Sequence, residues 1–302
     1  MRATGHRHQP FMTAYRFCRT DDIGLLVDAW ERCRGPEDAD AATLDRDTFK
    51  RLIRDLDLWC SSCMVAFEGR EPVGVLLGAK RPRSTLVYGL RVHPEHRRRG
   101  HARHLLTSLS SKLAILGPPR LVAEIPAERE AARAAFAACG WKEAARLTDW
   151  RREGAKRASQ PPGATAASEA VAPINLSDLL EAGILDPRRE AVRSWNRDLA
   201  ARPKPEDELP GLGFHSSERL EAWLIHRPGN AGHEILALGF VPGDLGRLGL
   251  SVLIDELGRL AGESPLLLSR AASDEIDPEL LRSLGFEPGT EYLLLTTRAQ
   301  AA

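Results

Sequence analysis

Apolar residues along the first half of the chain alternate between helical and strand spacing, and the switches mark its elements. Ala14–Cys18 reads as a short strand. Thr20 or Asp21 can cap a helix reaching about Arg34, with Ile23, Leu26, Val27 and Trp30 on one face. Asp47–Leu56 is a second amphipathic helix. Cys63–Phe67 and Val73–Ala79, joined by Glu68-Gly69-Arg70-Glu71, predict a hairpin, and Thr85–Val92 the next strand. A helix follows over about His101–Leu116, striped by Leu105, Leu106, Leu109 and Leu113. Leu121–Ile125 is a strand, Glu128–Cys139 a helix ended by Gly140, and Trp141 begins another strand. The order β-α-α-β-β-β-α-β-α-β predicts a mixed α/β layer structure.

Residues 170–302 repeat that order in weaker form. Glu221–Ile225 echoes Val73–Leu77, Ile235–Val241 echoes Leu86–Val92, and a helix (about Arg247–Leu260) follows. Leu266–Ser269 echoes Leu121–Ile125, and Leu281–Phe286 echoes Phe136–Trp141. Val92 lies 48 residues before Gly140, and Val241 lies 44 before Gly285. Residues 154–169 are small, polar and rich in Pro and Gly, a flexible linker by composition. The division expected is a domain at 14–153, the linker, and a similar domain at 170–302.

Composition narrows the class. The 302 residues are 43% hydrophobic and 28% charged, which excludes wholesale disorder. No apolar run is long enough to span a bilayer, and the His/Arg-rich N-terminus lacks a signal-peptide apolar region, so the expected location is the cytoplasm, with no membrane partner. Five cysteines, all in the first half, do not form a disulfide pattern. The net charge of zero hides +7 over residues 1–153 and −7 over residues 154–302. Zero overall argues against a dedicated nucleic-acid binder, although the basic half can attract a polyanion.

The chemistry concentrates in Leu90-Arg-Val-His-Pro-Glu-His-Arg-Arg-Arg-Gly-His-Ala-Arg-His-Leu-Leu106. A strand ends at Val92, Pro94 breaks it, and a basic loop with one glycine leads into a helix. That order aims free backbone N–H groups and the positive end of the helix dipole at one point. Gly100 lets backbone approach an anion, Ala102 keeps the first turn small, and Arg97, Arg98, Arg99 and Arg103 add donors. The expected guest is a phosphate or pyrophosphate. Neither Gly-x-x-x-x-Gly-Lys-Ser/Thr nor Gly-x-Gly-x-x-Gly occurs.

Here the sequence resembles the GCN5-related N-acetyltransferase (GNAT) family. Arg97-x-x-Gly100-x-Ala102 fits the family's Gln/Arg-x-x-Gly-x-Gly/Ala signature, and Val92-x-Pro94-Glu95-x-Arg97 fits the stretch before it. Ala132-x-x-x-Phe136-x-x-x-Gly140-Trp141 fits its Ala-x-x-x-Tyr-x-x-x-Gly-Phe. The resemblance covers residues 14–153 well and 170–302 in outline, and it implies two tandem acyl-CoA N-acyltransferase domains. It further implies acetyl-CoA as co-substrate, no metal, and a primary amine on a small molecule or protein N-terminus as acceptor. Pantetheine is expected on the backbone of Leu90 and Val92, around Arg91, and the pyrophosphate on Arg97, Arg98, Arg99, Gly100, His101, Ala102 and Arg103.

Glu124 matches the glutamate proposed as general base in the family's ribosomal-protein alanine acetyltransferases; the other reading is a surface pair with Arg120 or Arg129. Where those enzymes carry an acidic tyrosine, this chain has Phe136, and Arg129 replaces their asparagine. Tyr88 is a weaker candidate. Cys60-Ser-Ser-Cys63 has metal or redox spacing without a second pair. His93, His96, His101 and His104 read as anion contacts rather than ligands. In the second half, Pro242-Gly-Asp-Leu-Gly-Arg-Leu-Gly249 offers one Arg and an Asp244 that repels pyrophosphate, so this half is expected to be degenerate, as in tandem members of the family. Ser194-Trp-Asn-Arg-Asp198 and Trp223 read as packing. A non-catalytic acyl-CoA binder and a tandem enzyme with both halves active are the alternatives.

Overall fold

The computed structural model describes residues 13–39, 41–154, 170–185, 193–202 and 209–301. Linker residues 155–169, and His6 and His8, lie outside them. Strand β1 (Thr13–Phe17) leads into α1 (Ile23–Arg32), which buries Leu26, Val27 and Ala29. Neither Thr20 nor Asp21 caps α1. Asp22 stands at the cap position, but its carboxylate accepts from the Arg19 N–H at 2.7 Å and from Arg16, closing the preceding turn instead. Helix α2 (Arg46–Leu56) has an orthodox cap, Asp45 accepting from the Thr48 N–H at 2.6 Å. Then come β2 (Met64–Glu68), β3 (Glu71–Lys80), β4 (Ser84–Val92), α3 (His101–Leu116), β5 (Arg120–Pro126), α4 (Glu130–Ala137) and β6 (Lys142–Arg152).

After the linker the chain forms β7 (Val171–Asn175), α5 (Leu176–Glu181), β8 (Pro210–His215), β9 (Leu220–Gly229) and β10 (Gly232–Phe240). It continues through α6 (Asp244–Ala261), β11 (Leu266–Ala272), α7 (Pro278–Ser283) and β12 (Glu287–Arg298).

The two compact units are not cut at the linker. One comprises residues up to Ala123, Ala131–Lys142 and Thr296 onward; the other comprises Glu124–Glu130 and Glu143–Leu295. In the first, β1 to β5 lie side by side in chain order, antiparallel except for the parallel step from β4 to β5. Helices α1 and α3 pack on β3, whose Val75, Leu76 and Leu77 are fully buried. The end of β12 belongs here: the Thr296 hydroxyl donates to the Leu121 carbonyl at 3.1 Å.

In the second unit the order is β12-β6-β11-β10-β9-β8-β7, with the one parallel step between β10 and β11. Strand β6 precedes the linker in sequence yet pairs with β11, Trp150 opposite Leu268 and Arg152 opposite Leu266. Its apolar content explains the choice. The Trp150 ring is buried in the core of this unit with Phe214, Leu224, Leu253 and Leu268.

The repeat is visible in detail. Gly140 (φ +78°) and Gly285 (φ +81°) take the same left-handed turn after α4 and α7. Each is followed by a buried aromatic whose N–H reaches back five residues, Trp141 to the Phe136 carbonyl at 3.2 Å and Phe286 to the Leu281 carbonyl at 3.0 Å.

Candidate active site

The site is built where two parallel strands part. The β4–β5 register runs from Ser84 opposite Arg120 to Val87 opposite Ala123 and stops there. Tyr88 is the extra residue of a bulge, since Leu77 pairs with Gly89 and Gly78 with Val87. The parallel β4–β5 ladder thus ends at Val87, before Leu90 and Val92 are reached. A short 3-10 turn (Pro94–His96) and the basic loop then carry the chain into α3.

The loop ends at an uncapped helix start. Gly100 stands at the α3 N-cap with φ +88°, and no side chain caps the helix. A Cβ there would meet nothing within 4 Å, so the face it guards is open. Arg98 also has positive φ, +62°, and residues alternating in this way turn successive N–H groups toward one point. The first N–H groups of α3 add the helix dipole.

The four arginines divide into two kinds. Arg97 braces the loop: Nε donates to the Val92 carbonyl at 3.1 Å, and its other nitrogens grip Glu37 at 2.5 and 3.2 Å. Arg99 reaches Glu68 at 3.3 Å. Arg98 and Arg103 are exposed and have no ion-pair partner among the described residues. Arg91 is a fold residue, lying 3.9 Å over the Trp30 ring and 3.1 Å from the Asp38 carboxylate. The His101 ring turns inward, Nδ1 2.8 Å from the Tyr15 hydroxyl, and burial lowers its pKa below the usual imidazole value. Tyr15 stacks on His104 at 3.7 Å. Leu90 and Val92 pair on their β3 side with Leu76 and Gly74.

Glu124, on β5, is buried rather than at the surface, and its partner is neither Arg120 nor Arg129. One carboxylate oxygen accepts from the Trp195 backbone N–H at 2.5 Å, the other from Arg270 Nη1 at 2.5 Å. Arg270 lies on β11 with φ +52°, its N–H bonded to Asp149 at 2.8 Å and its guanidinium 4.4 Å over the Tyr292 ring. No local signal places Trp195 or Arg270 beside Glu124, although a lone charge within each of two apolar strands was a visible hint.

The second half fills its own equivalent gap. Register between β10 and β11 covers only His233 and Glu234. At the next residue, the Ile235 carbonyl accepts from buried Arg197 Nη1 at 2.9 Å, and Arg197 is clamped by buried Glu275 at 2.6 Å. Burial works to raise the Glu275 pKa, but Arg197 outweighs it and the pKa lies below normal. The Ser194–Asp198 segment is therefore packing, and its arginine occupies the position past the ladder. The loop is also shorter: three residues separate Phe240 from α6, whose uncapped start at Gly243 is followed by Asp244 rather than by a run of arginines.

The remaining candidates resolve simply. Phe136 is buried edge-on to Trp141, ring centroids 4.9 Å apart. All five cysteines are free thiols; Cys60 and Cys63 are buried, with pKa values raised by desolvation, and neither belongs to a metal-binding cluster among the described residues. Among those residues no helix is long and apolar enough to cross a membrane.

A mixed sheet whose parallel strands part beside a glycine-opened helix defines the acyl-CoA N-acyltransferase fold class. Residues 25–141 match the model of the acetyltransferase (GNAT) family. An acetyltransferase of Photorhabdus laumondii is 33% identical over 116 residues, 38% of this chain and 77% of that one. One from Sodalis glossinidius is 32% identical over 106 residues, 35% and 70% of the two chains. Among solved structures, a GCN5-related N-acetyltransferase from Sphaerobacter thermophilus superposes with TM-score 0.63 at 17% identity, covering 95% of this chain and 96% of that one. A tandem GNAT protein from the clavulanic acid biosynthesis pathway gives 0.58 at 17% identity, over 96% and 100%. The chain belongs to the GNAT acetyltransferase family, with the fold of its tandem members.

Proposed function

We propose that residues 14–153 form an acetyl-CoA-dependent N-acetyltransferase domain, linked through 154–169 to a degenerate domain at 170–302. The acceptor is a primary amine of a small molecule or a protein N-terminus. The carrying observation is the parting of β4 and β5 past Val87 beside the open Gly100 cradle. Those residues suit an elongated thioester with a pyrophosphate: the backbone of Leu90 and Val92 for the amide-bearing arm, the α3 N–H groups with Arg98 and Arg103 for the anion. The second half differs at both places: Arg197 holds its Ile235 carbonyl, and its shorter loop has Asp244 at the helix start in place of the arginine run.

Acetyl-CoA supplies an activated acyl carbon, and the chain manages the protons. A neutral amine attacks that carbon, the C–S bond breaks, and the amine's proton must go to a base. Glu124 is the candidate, provided that Arg270, the partner with solvent contact, gives up its oxygen. Phe136 has no proton to return to the thiolate, so that role passes to water or is unnecessary, the thiolate of coenzyme A being a tolerable leaving group.

Calorimetric titration of the whole chain with acetyl-CoA tests the reading. One site per chain, abolished in Gly100→Glu, is expected; two sites or none overturn it. A non-catalytic binder is the second reading, favoured by the engagement of both Glu124 oxygens. It predicts acetyl-CoA binding without turnover of any amine, in wild type and Glu124→Gln alike.

A further inference from the structure

We propose that Glu68, His96 and His101 form a binding site for a divalent cation of the Zn2+ type. Glu68 ends β2 at a tight turn, His96 ends the Pro94–His96 turn, and His101 is the first residue of α3. One ligand atom from each lies within 4.8 Å of the other two. His96 Nδ1 is already 3.2 Å from Glu68 Oε1. Donor atoms around a tetrahedral zinc stand roughly 3.3 Å apart, so closure needs only small side-chain rotations.

The second observation is an orphan. His101 is 4% exposed, and its Nε2 is buried without any hydrogen-bond partner. Its Nδ1, 2.8 Å from the Tyr15 hydroxyl, can donate to that oxygen. In that tautomer the Nε2 lone pair is left free, as metal-binding imidazoles require. A buried ring nitrogen left unpaired is costly, and a cation removes the cost. Two imidazoles and a carboxylate are a donor set for borderline metals, and the part-exposed side of Glu68 and His96 leaves a fourth position to water. Arg99, 3.3 Å from the same Glu68 oxygen, has a side chain 55% exposed and can swing clear. The bound ion ties the β2 hairpin to the loop and to the start of α3, and this does not depend on acetyl-CoA binding.

The test uses the full chain carrying His6→Ala and His8→Ala, so that N-terminal imidazoles contribute nothing. Titration with Co2+ is followed by visible absorption, then by displacement with Zn2+. One equivalent is expected, with the intense d–d bands of four-coordinate cobalt, lost on adding Zn2+. Glu68→Gln and His96→Ala should each weaken binding at least tenfold, while His215→Ala should not. Circular dichroism reports folding; the isosteric Glu68→Gln decides if His96→Ala unfolds. Absence of binding, or binding undiminished in Glu68→Gln, overturns the site.

Discussion

Replacing either member of the Glu124–Arg270 pair should cost unequal amounts, and the inequality follows from exposure. The Glu124 side chain is 2% exposed and that of Arg270 is 32%. In Arg270→Met the surviving carboxylate is almost fully buried, with only the Trp195 N–H to satisfy it. Breaking a buried pair in this way costs about 3–5 kcal/mol. In Glu124→Gln the surviving guanidinium keeps solvent contact and the Tyr292 ring, so the loss is discounted to about 1–2 kcal/mol. The double variant leaves no unpaired charge and should be more stable than the sum of the single losses predicts, with a coupling of about 1–3 kcal/mol. Urea unfolding followed by tryptophan fluorescence measures all three. Equal single losses, or strict additivity, would refute the electrostatic account. Turnover separates the remaining roles. As the base, Glu124→Gln should lower kcat by about 10²–10⁴-fold with acetyl-CoA affinity intact. A purely structural glutamate would lose no more activity than the less stable Arg270→Met.

Gly100→Ala should reduce acetyl-CoA affinity at least tenfold in calorimetry, yet cost only about 1–2 kcal/mol of stability, since its φ of +88° strains any L-residue while its Cβ meets no protein atom. Arg197→Met should destabilise by about 3–5 kcal/mol, because Glu275 is 4% exposed and would lose its ion-pair partner, and adding Glu275→Leu should restore most of it in chemical unfolding. His226 is pushed down to about 4 by burial and by nearby His233, so the unfolded chain binds the extra proton between about pH 6.5 and 4. Stability should therefore fall through that window as pH drops, by about 1–2 kcal/mol after discounting for its partial solvation, and a Tm comparison at pH 7 and 5 should show the fall reduced in His226→Leu.

Much of this was legible in the chain. Helix and strand spacing, the glycine stops at Gly140 and Gly285, and the strand–loop–helix from Leu90 to Leu106 are local, because backbone hydrogen bonds and φ preferences act over a few residues. The repeat was legible for the same reason. The cap of α1 was misplaced by one or two residues, since Asp22 is spent on Arg16 and Arg19.

Tertiary structure alone decided which strands share a sheet and which charges meet. Strand β6 lies beside β11 because Trp150 gains a buried core there, a preference set by a surface that exists only once the second half folds. Glu124 meets residues 71 and 146 positions away. Arg197 reaches the Ile235 carbonyl from outside any regular element. No spacing rule carries such contacts: they result from the packing of whole layers, and the partners and exposure of Glu124 follow from that packing.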